Sequence, residues 1–132
     1  MAEFALEKIE ILHSRLNIFK LLINGKCLFD EFWKDVERFG GYEKELDTIQ
    51  AIIERKAQLQ PVSPEKYKEL KGRKKNDPHK DYEIRTPNLR VYLFKQEKTG
   101  HIIVLGAIKT PKGQDQDIDR MRGIKKRYFE NL

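Results

Sequence analysis

Residues 82 to 109 read Y-E-I-R-T-P-N-L-R-V-Y-L-F-K-Q-E-K-T-G-H-I-I-V-L-G-A-I-K. β-Branched and aromatic residues dominate, and the two interruptions, Pro87-Asn88 and Glu97-Lys98-Thr99-Gly100, have the composition of short turns. The stretch predicts three strands, over 82–86, 89–96 and 101–109, each antiparallel to the next. The third is apolar at consecutive positions from Ile102 to Leu105, so both of its faces need covering and it belongs in the middle of a sheet.

Upstream, Ile18, Phe19, Leu21, Leu22 and Ile23 form an apolar run that stops at Asn24-Gly25, which reads as a buried strand and a turn. From Leu28 the period changes. Phe29, Phe32, Trp33, Val36 and Phe39 recur at helical spacing up to Gly40-Gly41, a helix stop, and aromatics in this pattern are core. Leu46, Ile49, Ile53 and Ala57 mark a second helix ending before Pro61, so the two should form an antiparallel hairpin. Ser63-Pro64-Glu65 suggests a short helical turn, with Ser63 as N-cap. An open, mobile basic loop then spans 72–80. After the three strands, Ile118, Met121, Ile124 or Lys125, and Tyr128 give the inner side of a terminal helix. Residues 1–16 are an extension with two readings, a helix on imperfect spacing or a strand at the sheet edge. The expected order is strand, helix, helix, three strands, helix. This is a single α+β domain over 1–132, with a small antiparallel-rich sheet and helices packed on it.

A chain of 132 residues suits one core. Cys27 is the sole cysteine and is expected to pack rather than react. His13, His79 and His101 are too scattered for zinc-ligand spacing, so neither a metal nor another cofactor is expected. No apolar run approaches the length of a membrane span, and Glu3 and Glu7 spoil a secretory pattern, so the expected location is the cytoplasm. The net charge of +6 is concentrated in the second half. Residues 71–80 read K-G-R-K-K-N-D-P-H-K and residues 120–127 read R-M-R-G-I-K-K-R, whereas 29–60 is balanced or slightly acidic. Such blocks point to nucleic acid, the alternative being a solvated basic surface.

If the first turn has two or four residues, Arg85 and Arg90 lie opposite each other. Facing cations cost about 0.2–1 kcal/mol, so the pair suggests an anion site, unless Glu83 on the same face neutralises it. A four-residue second turn would bring Lys109 to the same face.

The segment Y-E-I-R-T-P-N-L-R-V-Y-L-F-K (82–95) resembles the central hairpin of the RelE/ParE superfamily of toxins from type II toxin-antitoxin systems. L-K-G at 70–72 resembles the segment before that hairpin in HigB-type toxins. I-I-V-L-G-A-I-K-T-P-K-G (102–113), followed by a basic helix, is similar to the phage-derived HigB branch. The resemblance implies a ribosome-dependent endoribonuclease that cuts mRNA without a metal. Its catalytic candidates are Lys71 as the loop lysine, Arg85 on the strand, Asn88 in the turn, Arg90 after it and Lys109 at the end of the last strand. Arg73, Lys74, Lys75, Lys80, Lys112, Arg120, Lys125 and Lys126 are expected to contact RNA on the ribosome. The implied partners are mRNA, ribosomal RNA and a cognate antitoxin, HigA-like with a DNA-binding domain.

The sequence departs from the pattern in two places. Glu83 stands where RelE has a lysine, and no tyrosine follows the last strand closely, Tyr128 lying about five helical turns on. Glu65 is a further candidate carboxylate base. Two rival readings are a non-catalytic RNA- or partner-binding module with the toxin fold and a ParE-like gyrase inhibitor.

Overall fold

A computed structural model describes residues 2–132. It contains nine elements: β1 (Phe4–Lys8), β2 (Ile18–Ile23), α1 (Leu28–Phe39), α2 (Glu43–Ala57), β3 (Tyr67–Glu69), β4 (Asp81–Arg85), β5 (Leu89–Gln96), β6 (Gly100–Ile108) and α3 (Gly113–Glu130). The strands form one sheet in the order β1-β2-β6-β5-β4-β3. Only the β2–β6 pair is parallel. The fold is α+β, as expected, and no described helix is long and apolar enough to cross a membrane.

Two strands were not expected as such, and both sit at the edges. Residues 4–8 pair antiparallel with β2, from Phe4 opposite Ile23 to Lys8 opposite Phe19, and β2 ends in the tight turn at Asn24-Gly25, whose positive φ angles (51° and 80°) suit these two residue types. The extension is therefore a strand, which settles the open choice between strand and helix. Ser63-Pro64-Glu65 forms a turn and no helix. The Ser63 carbonyl accepts from the amides of Lys66 and Tyr67, and the chain then continues as β3 against β4. Three residues of pairing leave no periodicity to read, so β3 was invisible to pattern analysis.

The helices cover both faces of the sheet. On one face, Phe29, Phe32 and Val36 of α1 and Leu46, Ile49 and Ile53 of α2 pack on Ile84, Val91, Leu93 and Ile103. On the other, Met121, Ile124 and Tyr128 of α3 pack on Tyr92, Phe94, Ile102 and Leu105. Central β6 thus buries both of its faces, as its unbroken apolar run requires. Close packing reaches the backbone at Gly106, where a Cβ would stand 2.4 Å from the Phe32 ring. Phe39, at the end of the α1 stripe, is exposed and stacks on Tyr42 instead of joining the core. Cys27 packs at the core margin and caps α1, its sulfur accepting from the Asp30 amide.

The register of β6 beside the β4–β5 turn arises from two compensating irregularities. The β5–β6 turn leaves three residues between the paired Gln96 and Gly100, one fewer than expected. Between Tyr92 and Leu93 the partner jumps from Leu105 to Ile103, so Val104 is an extra residue in β6. The bulge restores the register that a longer turn would have set, with Ala107 opposite Arg90 and Leu89 opposite Ile108.

His101 lies in a stack with Tyr82, itself stacked on Tyr67, and its Nδ1 is hydrogen-bonded with the Tyr67 hydroxyl at 3.1 Å. Burial, reinforced by Lys56 and Lys95, lowers its pKa to about 4. The folded ring is therefore neutral across a range in which the unfolded chain takes up a proton. The associated stability is complete above pH 6.5 and is lost as pH falls towards 4, amounting to roughly 3 kcal/mol. Urea unfolding of wild type and His101→Gln across this window should show a smaller acid loss in the variant. Equal losses would show that another group carries the effect.

Candidate functional site

The hairpin of β4 and β5 places Arg85 directly opposite Arg90, with four residues between them. Both lie on the α3 face, because Ile84 and Val91 beside them belong to the opposite core. The facing cations share one counter-charge. Glu83 is fully buried, its Oε1 being 3.1 Å from Arg90 Nε and 3.5 Å from Arg85 Nε. Arg90 is itself 3% exposed and donates through Nη1 to the carbonyls of Thr86 and Leu89. Burial and the neighbouring Arg85 pull its pKa below the ordinary arginine value. Arg85 retains a third of its side chain in solvent. Of the two, Arg85 is the one that an external anion can reach.

The roof of this cluster is the first turn of α3. Gln114 Nε2 lies 3.3 Å from both Glu83 oxygens. Gln114 belongs to the first turn of α3, so the positive end of the helix dipole lies beside the same cluster. Tyr92, one position along the same face of β5, is buried and its hydroxyl has no hydrogen-bond partner. Burial, with the nearby carboxylates Glu83 and Asp117, raises its pKa and keeps the phenol protonated. Burial raises the Asp117 carboxyl as well. Arg90 Nε is also without an aligned acceptor despite its contact with Glu83. Two buried polar atoms thus lie unsatisfied in one cluster, and each carries a desolvation cost of about 1–3 kcal/mol. Tyr92 was missed as a site residue because an aromatic in an apolar strand looks like core. Its position two residues after Arg90 was the available signal.

The remaining expected site residues divide between two ends of β4. Lys109 is exposed, and its amide donates to the Asn88 carbonyl at 2.7 Å, so it stands at the arginine end. Exposed Lys112 follows nearby in sequence. Lys71 does not join them. The Leu70 amide donates to the Asp81 carbonyl, which places Lys71 beside the far end of β4, roughly 13 Å from the arginine pair along the strand. It is exposed. Asn88 is committed elsewhere as well. Its backbone N–H and Nδ2 each donate to the Glu45 carboxylate at 2.8 Å, and Thr86 donates to the same group. Burial alone would raise the Glu45 carboxyl, but these hydrogen bonds outweigh it and hold the pKa low. The turn is pinned to the start of α2, and the amide of Asn88 is not free for substrate. Glu65 is exposed in its turn, outside the cluster.

The basic loop is tethered, contrary to the expectation of mobility. Arg73 donates to the Asp77 carbonyl and contacts Glu69, while Lys80 contacts Glu69 from the other side. His79 stacks flat on Phe129, with ring centroids 3.6 Å apart. Lys125, expected to contact RNA, is buried. Its ammonium bonds Asp77 at 2.6 Å, Asp81 at 2.8 Å and the His79 carbonyl at 2.7 Å. Arg122 joins it on Asp81. The charge block 120–127 is therefore not one surface. Lys125 and Arg122 face inward, whereas Arg120 and Lys126 are exposed, as are Lys74, Lys75 and Lys80 of the loop.

Arg90→Ala would strand the Glu83 carboxylate in the interior and should cost roughly 3–5 kcal/mol. Arg85→Ala, at a partly solvated pair, should cost no more than about 1 kcal/mol. Urea unfolding of the two variants checks the ranking, and equally small losses would mean that Arg90 is not held as described. No protein-family model matches this chain, and no curated protein or solved structure is significantly similar to it.

Proposed function

We propose that the chain is a ribosome-dependent endoribonuclease toxin that cleaves mRNA, of the RelE/HigB kind its sequence resembles. The observation that carries this reading is the paired register of Arg85 and Arg90 on one sheet face, bordered by Lys109 and Lys112 at the start of α3. The element order also supports it: a strand, a helical hairpin, three antiparallel strands and a terminal helix form the centre of the fold, with the extra strands at its edges.

Cleavage of RNA needs cations on the phosphate, a base for the 2′-hydroxyl and an acid for the 5′-oxygen. Arg85, Lys109 and Lys112 supply the accessible positive charge. Glu83 replaces Lys71 as the candidate base, being the carboxylate in contact with both arginines, and Tyr92 is the protonated group beside it. Glu83 takes the 2′-hydroxyl proton, the 2′-oxygen attacks phosphorus, and the departing 5′-oxygen takes a proton from Tyr92. The products are a 2′,3′-cyclic phosphate and a 5′-hydroxyl. Substrate access requires the Gln114 side chain to swing off Glu83. Arg90 holds the carboxylate in position. Exposed Lys74, Lys75, Lys80 and Lys126 provide electrostatic contact with ribosomal RNA, and an antitoxin neutralises the protein between episodes of activity.

Glu83 also motivates the rival reading, a binding module in which the buried carboxylate simply neutralises the arginines. Primer extension on a defined message, with and without ribosomes, separates the two. The catalytic reading expects ribosome-dependent cuts within codons, reduced at least about tenfold in Arg85→Ala and little changed in Lys71→Ala. A folded, antitoxin-free protein that cuts nothing, or an undiminished Arg85→Ala variant, would overturn it.

A further inference from the structure

A cleft of about 350 Å³ lies between the outer flank of α3 and the turn joining β2 to α1. Arg120, Ile124 and Arg127 recur at i, i+4 and i+7 and so share one side of α3. Ile23 and Leu28 line the opposite wall with Lys26. Ile124 is buried, Ile23 and Leu28 are half-buried, and the three cations are exposed. The result is an aliphatic floor rimmed by positive charge from two separate elements.

These cations differ from their neighbours on the same helix. Arg122 and Lys125 are bound to Asp81, on the flank that faces β4. Among the described residues, Lys26, Arg120 and Arg127 form no ion pair within 4.0 Å. Asp117, one turn before Arg120, senses its charge without contacting it. Three like charges rim one apolar depression with no carboxylate of the described residues paired to any of them. Such a rim is complementary to an anionic ligand. The floor narrows the class of anion: a nucleic acid backbone would meet the cations and leave the aliphatic groups wet, whereas a peptide can place a side chain on them.

We propose that this cleft binds an acidic segment of a partner protein, one aliphatic side chain seated on Ile23, Leu28 and Ile124 with flanking carboxylates on Lys26, Arg120 and Arg127. The site is separate from the arginine cluster and stands whether or not the chain cleaves RNA.

Fluorescence anisotropy on the full chain tests it with three probes: a short glutamate-rich peptide carrying one leucine, the same peptide with serine in that place, and an oligouridylate of equal net charge. The leucine peptide should bind about tenfold more tightly than the serine peptide. The double variant Arg120→Glu/Arg127→Glu should weaken it at least about tenfold, with the melting temperature unchanged, and Arg85→Ala should have no effect. Equal binding of the two peptides would overturn the proposal, as would indifference to the charge reversal. A reversal that weakens oligouridylate more than the leucine peptide would assign the cleft to nucleic acid instead.

Discussion

Two carboxylates on one short strand, Asp81 and Glu83, are completely buried beneath α3, and the α3 side of the molecule is organised around neutralising them. An isolated ionised carboxylate is intolerable in an apolar interior, so each must recruit cations from elsewhere in the chain. Asp81 draws Arg122 and Lys125 from α3 and, through Lys125, the loop residue Asp77. Glu83 draws Arg90 from β5 and Arg85 from its own strand, with Gln114 from the first turn of α3. The two positions fix the helix over the sheet at two points along its length. They also decide which of the many basic residues remain available to a partner.

That division separates charge as composition from charge as a surface. The segment 120–127 looks uniform in sequence, yet its period of 3.6 deals Arg122 and Lys125 to one flank, and Arg120 and Arg127 to the other. One flank is consumed in holding the fold, while the other borders an open cleft. The loop from 72 to 80 is basic by count, but its ends and middle are tied by Glu69, Asp77 and the stack of His79 on Phe129. Its exposed lysines are displayed from an anchored frame.

The arginine end of the hairpin combines polar groups under one roof, with a half-open guanidinium at the edge. Glu45 of α2 grips the turn from the opposite side of the sheet through Asn88 and Thr86, holding the register that sets the two arginines opposite each other.

The α+β class, the two consecutive helices, the three consecutive strands and the central position of β6 were legible in the residues themselves, because they rest on periods of 3.6 and 2 over segments long enough to express them. Also legible was that Arg85 and Arg90 would face one another if the turn had an even length. Only the tertiary structure decided the rest. Edge strands β1 and β3 exist because β2 and β4 offer unpaired backbone, not because their own residues demand it. The bulge at Val104 reconciles a three-residue turn with the register at the far end of the strand, and no local pattern announces it. Lys71, Asn88 and Lys125 each carry a residue type suited to an RNA site. Their positions relative to Asp81 and Glu45 depend on contacts spanning 11 to 44 residues of chain, and burial and pairing at that range are properties of the assembled fold.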